Sequence, residues 1–126
     1  MNREIKFRVW YKEEKLMYYD FEKLNTYDPE SEVLMQYTGL KDINGVEVYE
    51  GDIVEYEGWM EYQDYVRQSK KDLDKPHVLE ICFKDFSFRV KKIFKKDCFY
   101  ENLSTIEQKY IKIIGNIHEN PELIKG

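Results

Sequence analysis

Val33-Leu34-Met35-Gln36-Tyr37-Thr38-Gly39-Leu40-Lys41-Asp42-Ile43-Asn44-Gly45-Val46-Glu47-Val48-Tyr49-Glu50-Gly51-Asp52-Ile53-Val54-Glu55-Tyr56 is the stretch on which the fold class turns. Val33–Tyr37 and Val46–Tyr49 are β-branched and aromatic runs, the composition that suits a pleated, half-buried surface. Asn44-Gly45 between them offers two residues tolerant of positive φ, so the stretch predicts a tight hairpin. Gly51 then interrupts the pattern before Ile53–Tyr56, as expected where the chain bends into another strand.

Working outward, Glu4–Trp10 places Ile5, Phe7 and Val9 on one face and Lys6 and Arg8 on the other. That period of two predicts a half-buried strand. The polar break Lys12–Lys15 before Leu16–Tyr19 predicts an opening hairpin, and Asp28-Pro29 a turn. Further strands are predicted over Val78–Phe83, over Phe86–Val90 after a turn at Lys84-Asp85, around Ile93-Phe94 and Phe99-Tyr100, and in the Ile-rich interior strand Tyr110–Ile117. Ser104-Thr105-Ile106-Glu107 has capping-box spacing, and Asn120-Pro121-Glu122 puts a cap before a first-turn proline, so one helical turn is expected at each. Within 58–77, Trp59, Tyr62, Val66 and Leu73 suit either a short amphipathic helix or an inserted loop.

Composition agrees. The 126 residues include eleven Tyr, seven Phe and two Trp but no Ala, which argues against a helix bundle. The expectation is one domain over residues 1–126, mainly β, folded as a compact antiparallel barrel or sandwich. No apolar run is long enough to span a bilayer, and the N-terminus has no apolar segment behind its charges. Cys82 and Cys98 lack C-x-x-C spacing, and Cys82 lies in an apolar run as a small hydrophobe would. These features point to a cytoplasmic protein.

Three blocks resemble the YopX family of small phage and prophage proteins. They are Arg3–Trp10, Leu34–Val54 and the tail Ile114-Gly115-Asn116-Ile117-His118-Glu119-Asn120-Pro121-Glu122-Leu123, in which His118 stands where Tyr is common. The resemblance implies a β pseudo-barrel with short helical caps, encoded by a phage or prophage and acting in the bacterial host. It carries over no catalytic residue.

Motifs for chemistry are sparse. There is no dinucleotide or Walker fingerprint, and two histidines without clustered cysteines make a poor zinc set. His77, beside Pro76, reads as an exposed loop residue, and His118 as a structural neighbour of the chain end. No catalytic residue, metal site or cofactor is expected. Between 47 and 64 lie seven acids (Glu47, Glu50, Asp52, Glu55, Glu57, Glu61, Asp64) and no Lys or Arg. A carboxylate–metal site on Glu50, Asp52 and Glu55 is the sharp reading. The alternation of Glu55 and Glu57 with Val54 and Tyr56 favours a solvated strand face.

Between 84 and 97, Lys84, Arg89, Lys91, Lys92, Lys95 and Lys96 outnumber Asp85 and Asp97, a local charge of +4 in a chain of net −5. Phe86, Phe88, Phe94 and Phe99 interleave with them. Lys91, Lys92, Lys95 and Lys96 are therefore the candidate nucleic-acid contacts, charges for phosphates and rings for bases. The overall negative charge weighs against that role. The favoured expectation is a non-enzymatic accessory protein that binds an unidentified phage or host protein or self-associates, abundant Tyr supplying contact area at low entropic cost.

Overall fold

The computed structural model describes residues 5–19, 28–57, 77–94 and 97–124. Nine strands lie within them: β1 (Phe7–Tyr11), β2 (Leu16–Tyr18), β3 (Glu32–Lys41), β4 (Glu47–Tyr49), β5 (Asp52–Tyr56), β6 (His77–Lys84), β7 (Ser87–Phe94), β8 (Asp97–Asn102) and β9 (Ile111–Asn116). They form two antiparallel sheets ordered β2-β1-β3-β4 and β8-β7-β6-β5-β9, one curled into a half-barrel. The helical content of the described residues is three 3-10 turns, at Leu103–Thr105, Gln108–Tyr110 and Pro121–Ile124. The mainly β, antiparallel architecture is the one the alternation predicts. The helix-or-loop reading of 58–77 falls, except for His77, outside the described residues.

One face of the five-stranded sheet carries Val54 and Tyr56 from β5, Leu79 and Ile81 from β6, Val90 from β7 and Ile111 from β9. Val48 of β4 packs on it from the other sheet, and Leu103 and Ile106 close one end. Each fully buried side chain of this size contributes about 1.5–3 kcal/mol relative to exposure. The sheets are also stitched by backbone: the Gly51 N–H donates to Ile81 O (2.7 Å), the Ile117 N–H to Gly51 O (2.8 Å) and the Ile43 N–H to Ile111 O (2.8 Å).

Several local expectations need correction. The hairpin at 42–46 exists, but among the described non-glycine residues positive φ occurs only at Lys15, Asp85 and Phe86, so Asn44 is not part of a two-residue mirror-image turn. Gly45 alone is left-handed (φ 81°), and the Asp42 carboxylate organises the loop by accepting the Asn44 and Val46 N–H groups, each at 2.9 Å. The mirror-image two-residue turn lies at Asp85-Phe86, with Lys84 paired to Ser87 across it. Phe86 is thus a turn residue and not the first residue of a strand.

His77 is buried, at 3% exposure, as the first residue of β6, with its ring tilted against Tyr56 at 6.5 Å. It is not an exposed loop residue, because its pairing with Tyr56 draws it into the sheet. β9 is an edge strand of its sheet and not an interior one, and the Asp42 carboxylate accepts the Ile113 N–H on its open side. The turn at 103–105 begins one residue before Ser104 and has no side-chain cap. Asn120 turns its carbonyl oxygen back to the Asn116 N–H instead of capping forward.

Gly45 and Gly51 separate two costs of replacing glycine. Both are left-handed, where an L side chain costs about 1–2 kcal/mol. A Cβ at Gly45 meets open space, whereas one at Gly51 comes within 2.9 Å of the Met35 sulfur, itself buried. Urea unfolding should show Gly51→Ala losing clearly more stability than Gly45→Ala. Equal losses would mean that Met35 yields freely.

Candidate functional site

The basic stretch divides across β7, because neighbouring residues of a strand point to opposite faces. Val90 faces the core, so Lys92 shares its side of the sheet while Lys91 lies on the other. Lys91 pairs in register with Glu80 of β6 and with Tyr100 of β8. Lys84 stands over the Tyr100 ring at 3.8 Å from its centroid, with Lys91 at 6.0 Å. The grouping that the fold brings together is Lys84 and Lys91 over Tyr100, with Arg89 on the same face donating through Nε to Lys84 O at 3.0 Å. Lys95 and Lys96 fall outside the described residues. Glu80 faces Lys91, yet burial holds its carboxyl above the ordinary value. Cys82, opposite Arg89, has a thiol pushed up to about 11 by burial and by Glu80, so it stays protonated and unreactive at neutral pH.

Glu47 and Asp52 of the acidic stretch find their counter-charges at Lys6, just before β1, and at Arg8 within it, far away in sequence. Lys6 pairs with Glu47. Arg8, at 3% exposure, aims its guanidinium at the corner between β4 and β5. Its Nη2 donates to Glu50 O (2.9 Å) and pairs with Asp52 Oδ1 (2.9 Å), while Nη1 donates to the Tyr19 hydroxyl at 3.4 Å. The Tyr49 ring lies beneath the guanidinium at 4.9 Å. Asp52, at 2% exposure, takes the Tyr49 N–H on its other oxygen (2.8 Å). Burial raises the Asp52 carboxyl, against Arg8 and the Tyr49 N–H, which pull it down. Glu50 is likewise raised by burial while accepting the Gln36 N–H.

Two expectations change here. The Lys6–Arg8 side of the first strand is not a solvated face at Arg8, and Asp52 is a buried ion-pair partner, although Glu57 is exposed. Among the described residues no group of three or more His, Cys, Asp or Glu converges as a metal site would require.

His118 completes this corner. Its ring stacks on Trp10 (5.5 Å, 18°), and its backbone N–H donates to Asn116 Oδ1 at 3.0 Å. Nε2 of His118 and Nε of Arg8 are buried without a hydrogen-bond partner among the described residues. Burial first, then the Arg8 charge, lowers the imidazole from its ordinary 6.5, with Lys12 adding to the fall and Glu119 opposing it.

The other notable surface lies at the far end of β6 and β7. Phe83 and Phe88 face each other across the hairpin, edge to face at 5.2 Å, and Phe83 is half-exposed. Phe86, on the turn, is 97% exposed with φ at 65°. Beside this tip opens a cleft of about 490 Å³. Leu40, Phe88, Leu103 and Ile106 give it an apolar floor, and Thr38, Ser87, Asn102 and Ser104 a neutral polar rim. Its volume falls in the range of small-molecule and side-chain pockets.

Sequence reasoning took Phe86 for the first residue of a strand and missed the tip. The available signal was the two-residue spacing between Lys84 and Ser87.

Comparison with known proteins fits this architecture. The family described as YopX protein is matched over residues 20–125. The chain belongs to the YopX family. The crystal structure of protein EF1440 from Enterococcus faecalis superposes with a TM-score of 0.61 at 27% identity, covering 98% of this chain and 100% of that one. Protein YopX from Bacillus subtilis gives 0.56 at 22% identity over 95% and 98% of the two chains, a likeness of fold. No curated protein matches.

In this YopX family member the three blocks of resemblance meet at one place. The first supplies Arg8 and Trp10, the second Tyr49–Asp52, and the tail Ile117 and His118. Their shared role on this geometry is to hold the corner between the sheets.

Replacing Arg8 by Met should cost about 3–5 kcal/mol in urea unfolding, because Asp52 is left charged and unpaired in the interior. The double variant Arg8→Met with Asp52→Leu should recover a large part of that loss. His118 adds a pH signature. Its depressed folded-state pKa means that its contribution is present above 6.5 and lost as pH falls through the folded value. Asp52 and Glu50, both raised, act in the opposite sense, so a comparison isolates the histidine. The melting temperature should fall less in His118→Gln than in wild type between pH 7.5 and about 5.5.

Proposed function

We propose that this YopX family protein is a non-enzymatic phage or prophage accessory factor that works in the host cytoplasm by docking on another protein. The β6–β7 tip is the element it presents. One observation carries the reading: Phe86 is almost wholly exposed and held at positive φ. A non-glycine residue there costs backbone strain, and an exposed phenyl ring gives the monomer no burial in return. Gly or Asn at the same position would make the turn more cheaply. Phe83 and Phe88 continue the apolar surface inward from the tip, and rigid aromatic anchors of this type carry much of the energy of protein interfaces. No helix among the described residues is long and apolar enough to cross a membrane.

The sharpest test replaces Phe86 by a photo-crosslinking phenylalanine analogue in producing bacterial cells. A discrete protein adduct at this position, absent when the analogue stands at exposed Leu16 instead, is expected. No adduct from position 86 would remove the reading. In parallel, Phe86→Gly should leave the fold intact and raise its stability by about 1 kcal/mol in urea unfolding.

A second reading has its own observation, Lys84 and Lys91 over the Tyr100 ring. It supports single-stranded nucleic-acid binding, in which basic groups follow the phosphates. On that reading Lys84→Glu with Lys91→Glu abolishes a low-salt gel shift that the wild type shows, and the wild-type shift fades steeply with salt. A wild-type chain that shifts no single-stranded or duplex probe at low salt counts against it.

A further inference from the structure

We propose that the protein docked by the β6–β7 tip is a second copy of this chain, each copy seating its Phe86 in the other's cleft. The inference rests on the docking reading above and names its occupant. Knob and socket are built by the same hairpin: Ser87 and Phe88, the two residues after Phe86, form part of the cleft wall. A two-fold axis placed beside the tip therefore brings both knobs to both sockets at once, the self-complementary arrangement on which closed dimers are built.

The socket has the chemistry for this occupant. None of the side chains lining it is charged, so a phenyl ring enters without stripping water from an ion. Phe88 in the wall offers the incoming ring an aromatic neighbour, as it already does Phe83. The cleft, at about 490 Å³, has room for one ring and the turn that carries it.

Charge complementarity points the same way. The tip carries Lys84 beside Asp85, both exposed, and Asp85 has no ion-pair partner among the described residues. Pairing Lys84 of each copy with Asp85 of the other across the two-fold axis draws Lys84 off the Tyr100 ring on which it rests in the single chain. A heterologous partner would have to supply both the apolar socket and the matching charges, whereas this chain already has them. A two-residue tip and one cleft per side form a small contact beside the roughly 1,200–2,000 Å² of standard stable interfaces. The dimer is accordingly a weak one, governed by concentration.

Sedimentation velocity over a concentration series of the purified full chain tests the proposal. Wild type should pass from monomer to dimer as concentration rises. Phe86→Gly, which relieves the turn, and Ser104→Arg, which crowds the cleft rim from an exposed position, should each remain monomeric where wild type dimerises. Thermal melts check that both are folded. Mixing the two variants should restore association, weaker than wild type, because one intact knob then meets one intact socket. A wild-type chain that stays monomeric throughout overturns the proposal, as does a folded Phe86→Gly that dimerises like wild type.

The crosslinking arm separates the two readings. An adduct at position 86 with a different protein, alongside a monomeric purified chain, sinks the self-association and leaves the docking reading standing. No adduct of either kind removes both.

Discussion

The ion pair between Arg8 and Asp52 is the constraint around which the rest of the molecule is arranged. Both side chains are almost completely removed from water, and desolvating two charges costs several kcal/mol each unless geometry returns it. The return is made in parts: a 2.9 Å contact between the charges, a backbone carbonyl from Glu50, an N–H from Tyr49 and an aromatic face beneath the guanidinium. Each part comes from a different place in the chain. The first strand is consequently held to the β4–β5 corner, where the two sheets exchange the Gly51 hydrogen bonds. A hydrophobic cluster at this position would tolerate sliding. The charged pair tolerates one register, because a one-residue slip of β1 would turn Arg8 outward and leave Asp52 unpaired. We read the pair as a device for specificity more than for net stability.

That arrangement explains which parts of the fold could be read from the chain. The alternation in Phe7–Trp10 and Phe88–Val90 reports strands because pleating forces a period of two, and the strands are there. Burial is a different matter. Lys6 and Arg8 occupy equivalent places in the pattern, yet one is half-buried and the other is interior. Nothing local distinguishes them. The distinction lies in what Asp52 needs, about forty residues on, and an acid lodged beside the buried pair Ile53-Val54 is the visible hint of that need. Part of the run of acids at 47–64 is uncompensated only along one dimension, since the fold brings Lys6 to Glu47 and Arg8 to Asp52.

Turns were legible in location more than in type. Asn44-Gly45 marks a hairpin, but the Asp42 carboxylate takes over the loop by accepting two N–H groups, and only the glycine needs the left-handed conformation. The mirror-image turn falls instead on Asp85-Phe86, a pair that local preference does not single out. His77 went astray for a related reason: a neighbouring proline suggests a loop, whereas pairing with Tyr56 makes it the first buried residue of β6. In each case a long-range partner outweighs the dipeptide signal.

The Asp85-Phe86 turn and the Arg8 corner both depart from the cheapest local solution, and they depart in different ways. At the corner, the unfavourable step of burying charge is answered within the molecule by named groups. At the tip, the strain of a left-handed phenylalanine and the exposure of its ring have no answer among the described residues. A folded chain tolerates such a site at a few kcal/mol at most, within the margin by which domains of this size are stable. The groups that would answer it are an apolar socket and a charge pair, and the socket opens one residue away along the same hairpin. The corner accordingly belongs to the architecture, and the tip is where an approaching partner changes the energy of the molecule.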